Sequence, residues 1–209
     1  MSAERGRPGK IVCVGRNYAE HAKELGNEVP KEPLIFLKAP SSVIGDGDAI
    51  VLPVLSKQVE HEGEIGVIIG SRLRKASESE ANGAIAGIVA VNDVTARDLQ
   101  KTDGQWTRAK GFDTFCPIGQ PASKFPRLDD LTVVTRVNGE ERQRGRSADM
   151  VFSIPMLLSY ISGIMTLEPG DLVATGTPAG VSRLHSGDVV EVEIIGVSKV
   201  SNPVKASND

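Results

Sequence analysis

The chain has 209 residues, of which 40% are apolar and 24% charged, and its formal net charge is −3. These values are ordinary for a soluble globular protein. The negative net charge argues against nucleic acid as a partner, and no block of Lys and Arg with interleaved aromatic residues is present. No apolar run approaches the roughly 20 residues that span a bilayer, and the polar start MSAERGRPGK lacks the apolar stretch of a signal peptide. We therefore expect a cytoplasmic protein that binds neither nucleic acid nor a membrane.

Two cysteines, Cys13 and Cys116, lie far apart in the apolar stretches IVCVG and FDTFCP. Two thiols without a leader fit a reducing compartment better than a disulfide framework, so we predict that both are free and buried. No linker, repeat or low-complexity segment divides the chain. The sequence therefore predicts one domain over residues 1–209, with residues 1–9 as a flexible start.

The first half of the chain alternates predicted strands with short helices. In chain order it predicts a strand over KIVCVG (10–15), a polar helix over NYAEHAKELG (17–26) and a strand over LIFLKA (34–39). A long strand over QVEHEGEIGVIIG (58–70), a helix that begins within SESEANGAI (77–85) and an apolar strand over IAGIVAVND (85–93) follow.

The second half adds a hairpin, a helix and two strands. LTVVTRVNGEERQRG (131–145) is predicted to be a hairpin, because Asn138-Gly139 suits a type I′ turn. SIPMLLSYISGIM (153–165) has apolar residues at helical spacing, and we expect this helix to pack in the core. LVATG (172–176) and VVEVEII (189–195) are predicted strands, the second with solvated Glu191 and Glu193 on one face. The sum predicts a β-rich α+β fold.

Three carboxylates line one face of the predicted strand 58–70. Glu60, Glu62 and Glu64 stand at every second position, and alternate residues of a strand share a face. At an effective dielectric near 20, two such charges repel by roughly 2–3 kcal/mol, so the pattern indicates either a solvated face or a hard divalent cation. Oxygen ligands favour Mg²⁺, Mn²⁺ or Ca²⁺ over zinc. His61 alternates to the opposite face and is predicted to be a histidine at the edge of the core.

A further carboxylate ends the next apolar strand, where IAGIVAVND runs into Asp93. If the following DVTARDLQ is helical, Asp93, Arg97 and Gln100 share one face at i, i+4 and i+7. In one interpretation Asp93 is the third oxygen ligand that Glu62 and Glu64 lack. In the other, which is compatible with the first, Asp93 caps the helix and pairs locally with Arg97.

The stretch GRNYAEHAKE places His21 and Glu24 at i and i+3 of a predicted helix. A carboxylate beside an imidazole fixes its tautomer and stabilises its protonated form, which is the arrangement of a general base. The alternative is an ordinary solvated helix face that carries both residues by chance.

Five ordered stretches together resemble the fumarylacetoacetate hydrolase family: GRNYAEHAKE, HEGEIGVIIG, NDVTARDLQ, WTRAKGFDTFCP and VATGTPAGV. More narrowly, they resemble its short, single-domain branch of acylpyruvate hydrolases, fumarylpyruvate hydrolases and oxaloacetate decarboxylases. The resemblance spans about Lys10 to Val192. It implies a mixed β-roll fold, a homodimer and a site for Mg²⁺ or Mn²⁺, with Ca²⁺ as a substitute in vitro.

The resemblance also implies a role for each matching residue. The implied metal ligands are Glu62, Glu64 and Asp93, with Glu60 outside the ligand set. The implied catalytic residues are His21, Glu24 and Lys110. The residues implied to bind substrate are Arg16, Tyr18, Lys38, Arg97, Gln100 and Thr177.

The implied activity is hydrolysis of a C–C bond in an acylpyruvate or fumarylpyruvate, which yields pyruvate and a carboxylic acid. Decarboxylation of oxaloacetate and isomerisation of an unsaturated 2-oxo diacid in aromatic catabolism share the same enolate and stay open as alternatives. A metal-stabilised binding module without turnover is the non-enzyme alternative.

Overall fold

The computed structural model describes residues 7–207. Its strands in that range are β1 (Ile11–Gly15), β2 (Leu34–Lys38), β3 (Val43–Ile44), β4 (Ile50–Leu52), β5 (Val59–Glu60), β6 (Gly63–Ile69), β7 (Ile85–Asn92), β8 (Thr95–Ala96), β9 (Cys116–Pro117), β10 (Thr132–Val137), β11 (Glu140–Arg146), β12 (Leu172–Ala174), β13 (Val189–Ile194) and β14 (Ser198–Ala206). Its α-helices there are α1 (Ala19–Glu24), α2 (Glu78–Gly83), α3 (Arg97–Thr102), α4 (Thr107–Lys110) and α5 (Ile154–Ile164). Of the predicted flexible start, residues 1–6 lie outside the described residues, and Pro8 is buried.

Two five-stranded mixed sheets form the frame of the molecule. The first has the order β2-β1-β12-β6-β7, and its β1–β12 pair is parallel while the others are antiparallel. The second has the order β11-β10-β13-β14-β4, and its β14–β4 pair is parallel. Two small pairs, β3 with β9 and β5 with β8, are also present. Because the helices are few and short, the architecture confirms the predicted β-rich α+β fold.

The first sheet is covered on both faces. All four residues of IVCV in β1 are buried, as expected when neither face of a strand meets solvent. Val12 and Val14 pack in a core that the second sheet and α5 share, whereas Ile11 and Cys13 pack in a separate cluster on the other face. Cys13 and Cys116 are free and buried, as predicted, and burial raises the pKa of both thiols, that of Cys116 to about 12.

Helix α5 packs against the shared core along one face. Ser153 caps its start by accepting a hydrogen bond from the Met156 N–H. Leu157 and Ile161 are fully buried, which confirms the core position predicted for this helix, while Ile164 near its end is 57% exposed. Within residues 7–207 no helix has the length and apolar character needed to cross a membrane.

The predicted hairpin is confirmed in detail. Strands β10 and β11 flank the two-residue turn, in which Asn138 has a φ of 53° and Gly139 a φ of 81°. Two positive φ values are what a type I′ turn requires. The helix predicted to begin within residues 77–85 is also confirmed, and Ser77 caps it by forming a capping box with Glu80.

The prediction of one continuous strand over residues 58–70 is wrong. The strand ends at Glu60 and resumes only at Gly63. At the break, the side chain of Asn92 accepts the Glu62 N–H at 3.0 Å in place of a neighbouring strand. This hydrogen bond to a side chain at the end of β7 therefore interrupts the backbone pairing at Glu62, close to Glu64 and Asp93.

The helix expected from Asp93 begins only at Arg97. Residues Thr95–Ala96 are extended and pair with β5, which excludes a helix at those positions. Asp93 is therefore not a helix cap, and Arg97 pairs with Glu60 and Glu62 rather than with Asp93.

Glu191 and Glu193 are not simply solvated, as the sequence predicted. Their side chains are 26% and 29% exposed, and both accept from Arg136 Nη1, at 2.9 and 2.8 Å. Arg136 lies on β10, opposite Glu191 on β13. This partner is distant in sequence and comes close only through strand pairing.

Gly66 of β6 offers a direct test of the packing between β6 and β7. A Cβ at this position would lie 2.5 Å from Val91 Cγ2 and 2.8 Å from Val89 Cγ1. Because β-branched side chains have few alternative rotamers, we expect Gly66→Ala to lower the free energy of unfolding by about 1–3 kcal/mol. Urea denaturation of the metal-free protein measures this change.

Gly163→Ala in α5 is the matched control. A Cβ there meets no atom within 4 Å, so alanine should leave the free energy of unfolding unchanged or raise it by about 0.5–1 kcal/mol. Equal stability losses in the two variants would contradict the packing argument.

Candidate metal centre and active site

The site lies where β6 begins and β7 ends. Gly63 pairs with Asn92, so the neighbouring Glu62, Glu64 and Asp93 meet at one edge of the first sheet. One carboxylate oxygen from each of the three lies within 4.8 Å of the other two, and all three residues are buried. They line a pocket of about 400 Å³, its open mouth included.

Two lysines neutralise part of this buried negative charge. Lys110 Nζ donates to Glu62 Oε2 at 2.7 Å and to Asp93 Oδ2 at 2.6 Å. Lys38 Nζ donates to the other Asp93 oxygen, Oδ1, at 2.7 Å and to the Val94 carbonyl at 3.1 Å. Asp93 is therefore held between two ammonium groups.

Arg97 supplies the third cation at the start of α3. Its Nε lies 2.8 Å from Glu60 Oε2 and its Nη2 lies 2.5 Å from Glu62 Oε1. Its Nη1 donates to Gln100 Oε1 one helical turn later. One guanidinium thus joins two of the glutamates that alternate along the sequence.

These contacts shift the pKa values of the paired groups in opposite directions. Burial favours the neutral acid at Glu62, but Lys110 and Arg97 hold the pKa of this carboxyl well below its usual range. Burial alone would lower the pKa of Lys110, but Asp93 and Glu62 raise it above its ordinary value. At neutral pH the pair is therefore a carboxylate beside an ammonium group.

Glu64 differs from its neighbours because no side-chain cation contacts it within residues 7–207. Its Oε2 accepts from the Gly176 N–H at 2.8 Å. Burial and the charges of Asp93 and Glu62 raise the pKa of Glu64 well above its ordinary value. A buried carboxylate between two others needs a cation to ionise readily, and an all-oxygen donor set suits Mg²⁺, Mn²⁺ or Ca²⁺. The residues present therefore fit a divalent metal ion.

The pair formed by His21 and Glu24 of α1 reaches the pocket through His21. His21 is 4% exposed and lines the pocket, and its Nδ1 lies 3.1 Å from Glu24 Oε2. Glu24 Oε1 in turn accepts from the Gly180 N–H at 3.0 Å. With Nδ1 directed at a carboxylate, the other ring nitrogen, Nε2, is left to exchange a proton with a ligand.

The structure brings most of the proposed site residues to this pocket. Besides the three carboxylates, the residues with proposed roles that line it are Arg16, His21, Arg97, Gln100, Lys110 and Thr177. Arg16 has a φ of 59°, in the left-handed region that side chains other than glycine seldom adopt.

Tyr18, Glu24 and Lys38 are not among the residues that line the pocket. Lys38 is buried behind Asp93, so it neutralises a carboxylate of the site. Tyr18 is 4% exposed, and its hydroxyl has no hydrogen-bond partner within the described part of the chain. His61 stays apart from the carboxylates, as predicted, but it is fully buried, with Nε2 2.8 Å from Ser182 Oγ.

Sequence reasoning missed the apolar wall of the pocket. Val14, Leu25, Phe36 and Trp106 line it together with Asn27. Phe36 and Trp106 meet edge to face with ring centroids 5.2 Å apart. Trp106 is the single tryptophan of the chain and stands four residues before Lys110. That spacing, one helical turn from a proposed site lysine, could have indicated its position.

Comparison with known proteins identifies the family. The family model described as fumarylacetoacetate (FAA) hydrolase C-terminal matches residues 10–205. The chain therefore belongs to the fumarylacetoacetate hydrolase family, a family of enzymes, and the resemblance noted in the sequence is confirmed.

Individual relatives have several named activities. The mitochondrial oxaloacetate tautomerase FAHD1 of Arabidopsis thaliana is 48% identical over 202 residues, covering 94% of this chain and 91% of the relative. The mitochondrial oxaloacetate decarboxylase of Dictyostelium discoideum is 44% identical over 201 residues, covering 93% and 91%. The crystal structure of 5-carboxymethyl-2-hydroxymuconate delta-isomerase from Mycobacterium smegmatis has a TM-score of 0.90 at 41% identity and covers 98% of this chain and 81% of that chain.

Glu62→Gln and Glu64→Gln should both weaken metal binding. Each removes one of three carboxylates, so we expect the dissociation constant for Mn²⁺ to rise by at least the roughly 10–100-fold that even outer partners of a metal site contribute. Isothermal titration calorimetry of chelator-stripped protein measures this constant. Wild-type affinity in either variant would remove that glutamate from the proposed ligand set.

The stability of the same two variants without metal should differ. Glu62→Gln leaves Lys110 and Arg97 short of a carboxylate and should lower the free energy of unfolding by about 3 kcal/mol. Glu64→Gln replaces a carboxyl group that burial and the charges of Asp93 and Glu62 keep from ionising readily, so its stability should be kept or raised. A larger loss in Glu64→Gln than in Glu62→Gln would contradict this electrostatic assignment.

Proposed function

We propose that this chain is a divalent-metal-dependent enzyme that interconverts the keto and enol forms of a small 2-keto acid, with oxaloacetate as the preferred substrate. The observation that carries the proposal is the convergence of Glu62, Glu64 and Asp93 in a pocket that also holds Lys110 and His21. The names of the similar Arabidopsis, Dictyostelium and Mycobacterium proteins support it, because tautomerases, decarboxylases and isomerases of 2-oxo acids can all use an enolate.

When bound by the three carboxylates, Mg²⁺ or Mn²⁺ would supply a Lewis acid and a template for the carboxylate and keto oxygens of the substrate. Lys110 is protonated, as its raised pKa indicates, and can donate to the oxygen on which negative charge develops. Gln100 uses its Oε1 to accept from Arg97, which leaves its NH₂ group to donate into the pocket. Donors of this kind are worth roughly 3–4 kcal/mol each in a transition state.

His21 is the residue we propose to carry the substrate proton. With Glu24 on Nδ1, the lone pair of Nε2 takes a proton from C3 of the keto form, and Nε2 then gives that proton through water to the enolate oxygen, which leaves His21 neutral again. The reverse direction returns a proton from Nε2 to C3 of the enol form. No carbon–carbon bond breaks, so the reaction needs only proton transfer and charge stabilisation.

The His21–Glu24 contact also favours a second candidate, the hydrolysis of acylpyruvates expected from the sequence. In that reaction water gives a proton to His21 Nε2 while its oxygen attacks the distal carbonyl carbon. The bond from that carbon to C3 then breaks and C3 takes up a proton, which yields pyruvate and a carboxylic acid. Decarboxylation of oxaloacetate and isomerisation of a 2-oxo diacid stay as alternatives, because both pass through the same enolate.

The proposed partners are therefore a small 2-keto acid and, as the family resemblance implies, a second copy of the chain. The homodimer and the cytoplasmic location stay predictions. A metal-stabilised binding module stays the non-enzyme alternative.

The assay that tests the proposed function starts from chelator-stripped protein with and without Mg²⁺ or Mn²⁺. We expect metal-dependent loss of the ultraviolet absorbance of enol-oxaloacetate, faster than pyruvate release from oxaloacetate or acetylpyruvate, and abolished in Glu64→Gln. Faster pyruvate release would favour decarboxylation or hydrolysis instead. Metal-dependent thermal stabilisation without turnover of any of the three substrates would favour the binding module and contradict the enzyme proposal.

His21→Ala should slow every reaction that needs its proton transfer. We expect a loss of about 10²–10⁴-fold in kcat for acetylpyruvate hydrolysis and enol-oxaloacetate conversion, with an unchanged dissociation constant for Mn²⁺. His185→Ala is the matched control, because His185 is exposed and lies near Asp188, away from the pocket lining. Unchanged kcat in His21→Ala would remove His21 from the mechanism.

A further inference from the structure

Gly63, the residue between Glu62 and Glu64, is held by two side chains from other segments. Its N–H donates to Gln143 Oε1 at 3.0 Å, and its carbonyl accepts from Thr177 Oγ1 at 2.9 Å. Gln143 Nε2 donates to the same Thr177 Oγ1 at 2.8 Å. Gly63, Gln143 and Thr177 therefore close a ring of three hydrogen bonds beside the carboxylates, which we call the Gly63 ring.

The direction of every bond in the Gly63 ring follows from chemistry. A backbone N–H can only donate, so the Gln143 atom that it meets is the amide oxygen and the other is the NH₂ group. Thr177 then accepts from Gln143 and gives its single hydroxyl proton to the Gly63 carbonyl. Thr177 lines the pocket, but its hydroxyl therefore has no proton left to donate to a substrate carboxylate.

Gln143 has no hydrogen-bonding capacity to spare. Its Oε1 also meets His61 Nδ1 at 3.0 Å, and its Nε2 also donates to the Pro178 carbonyl at 2.7 Å. It is 1% exposed, so all four of its bonds are shielded from water. One buried amide thus joins the stretch from Glu62 to Glu64 to the segment from Gly176 to Gly180.

That segment also contacts the remaining parts of the site. The Gly176 N–H donates to Glu64 and the Gly180 N–H donates to Glu24. Gly63 cannot be fixed by a side chain of its own, because a Cβ there would lie 1.9 Å from Thr135 Oγ1. The backbone at Gly63 is therefore held from outside, through Gln143 and Thr177.

We propose that Gln143 is a positioning residue for the metal centre. It does not line the pocket, and it acts by holding the Gly63 peptide and the segment from Gly176 to Gly180 in one arrangement. Its loss would leave the buried Gly63 N–H and Pro178 carbonyl without partners, so the peptides that flank Glu62 and Glu64 would shift. The inference rests on the proposed function only in requiring that the three carboxylates bind a divalent cation.

The test is Gln143→Leu, with the dissociation constant for Mn²⁺ measured by electron paramagnetic resonance of the free ion. We expect a rise of about 10–100-fold, as for other outer partners of metal ligands. Asn202→Leu is the matched control, since Asn202 is also 1% exposed and donates to the carbonyls of Gly45 and Asp48, away from the pocket. The control should lose thermal stability and keep the wild-type dissociation constant.

A second pair of variants keeps the test decisive if Gln143→Leu does not fold. Thr177→Val removes the hydroxyl of the Gly63 ring, whereas Thr177→Ser keeps it. We expect weaker Mn²⁺ binding in the first variant and wild-type binding in the second.

Three results would overturn the inference. They are an unchanged dissociation constant in folded Gln143→Leu, an equal rise in Asn202→Leu, and equal binding by the two Thr177 variants. Wild-type protein that binds no Mn²⁺ would overturn the proposed function as well, so the two failures are distinguishable.

Discussion

The main physical constraint on this structure is that four carboxylates are buried at the edge of a sheet and must be stabilised there. Glu60, Glu62, Glu64 and Asp93 are all under 8% exposed, and burial of an unpaired carboxylate is costly. Three buried cations, on β2, α3 and α4, pair with three of these groups and leave Glu64 with a backbone N–H. The arrangement is thus one positive charge short of neutrality. This shortfall, more than the number of acidic residues, is the reason that the site fits a cation.

The need to pair these charges also explains why distant segments meet at the pocket. Lys38 ends β2, Arg97 begins α3 and Lys110 ends α4, so each cation stands at the boundary of an element rather than within it. A lysine at an element end can enter a buried cluster from the side while the body of the element packs elsewhere. The main role of the short helices α3 and α4 is therefore to place charged side chains at the site, and their contribution to the apolar core is smaller.

Local sequence patterns correctly predicted the turns, caps and strands that depend on neighbouring residues. They did not predict features that depend on contacts with residues far along the chain. Positive φ at Asn138 and Gly139 and the cap at Ser77 follow from the residues themselves, and the strands of the first sheet follow from apolar runs. The break before Glu62 depends on the Asn92 side chain, 30 residues away, and β14, with Pro203 inside it, was not predicted. At the site, the spacing of the glutamates at every second residue predicted that they lie on one face of a strand. The partners of Lys38, the position of Tyr18 outside the pocket lining and the residues of the pocket wall required the assembled fold.

The formal charges of the site also bear on the kind of ligand that it accepts. The four carboxylates and the three cations sum to −1, and a bound divalent cation changes this sum to +1. Arg16 adds a further positive charge to the pocket lining and has no carboxylate partner within residues 7–207. An anion that enters a buried pocket of net positive charge gains more than it would in water, because the surroundings screen it weakly. A neutral ligand gains nothing from this field, so we expect the site, once it holds a divalent cation, to favour anions such as the proposed 2-keto acids over neutral ketones of the same shape.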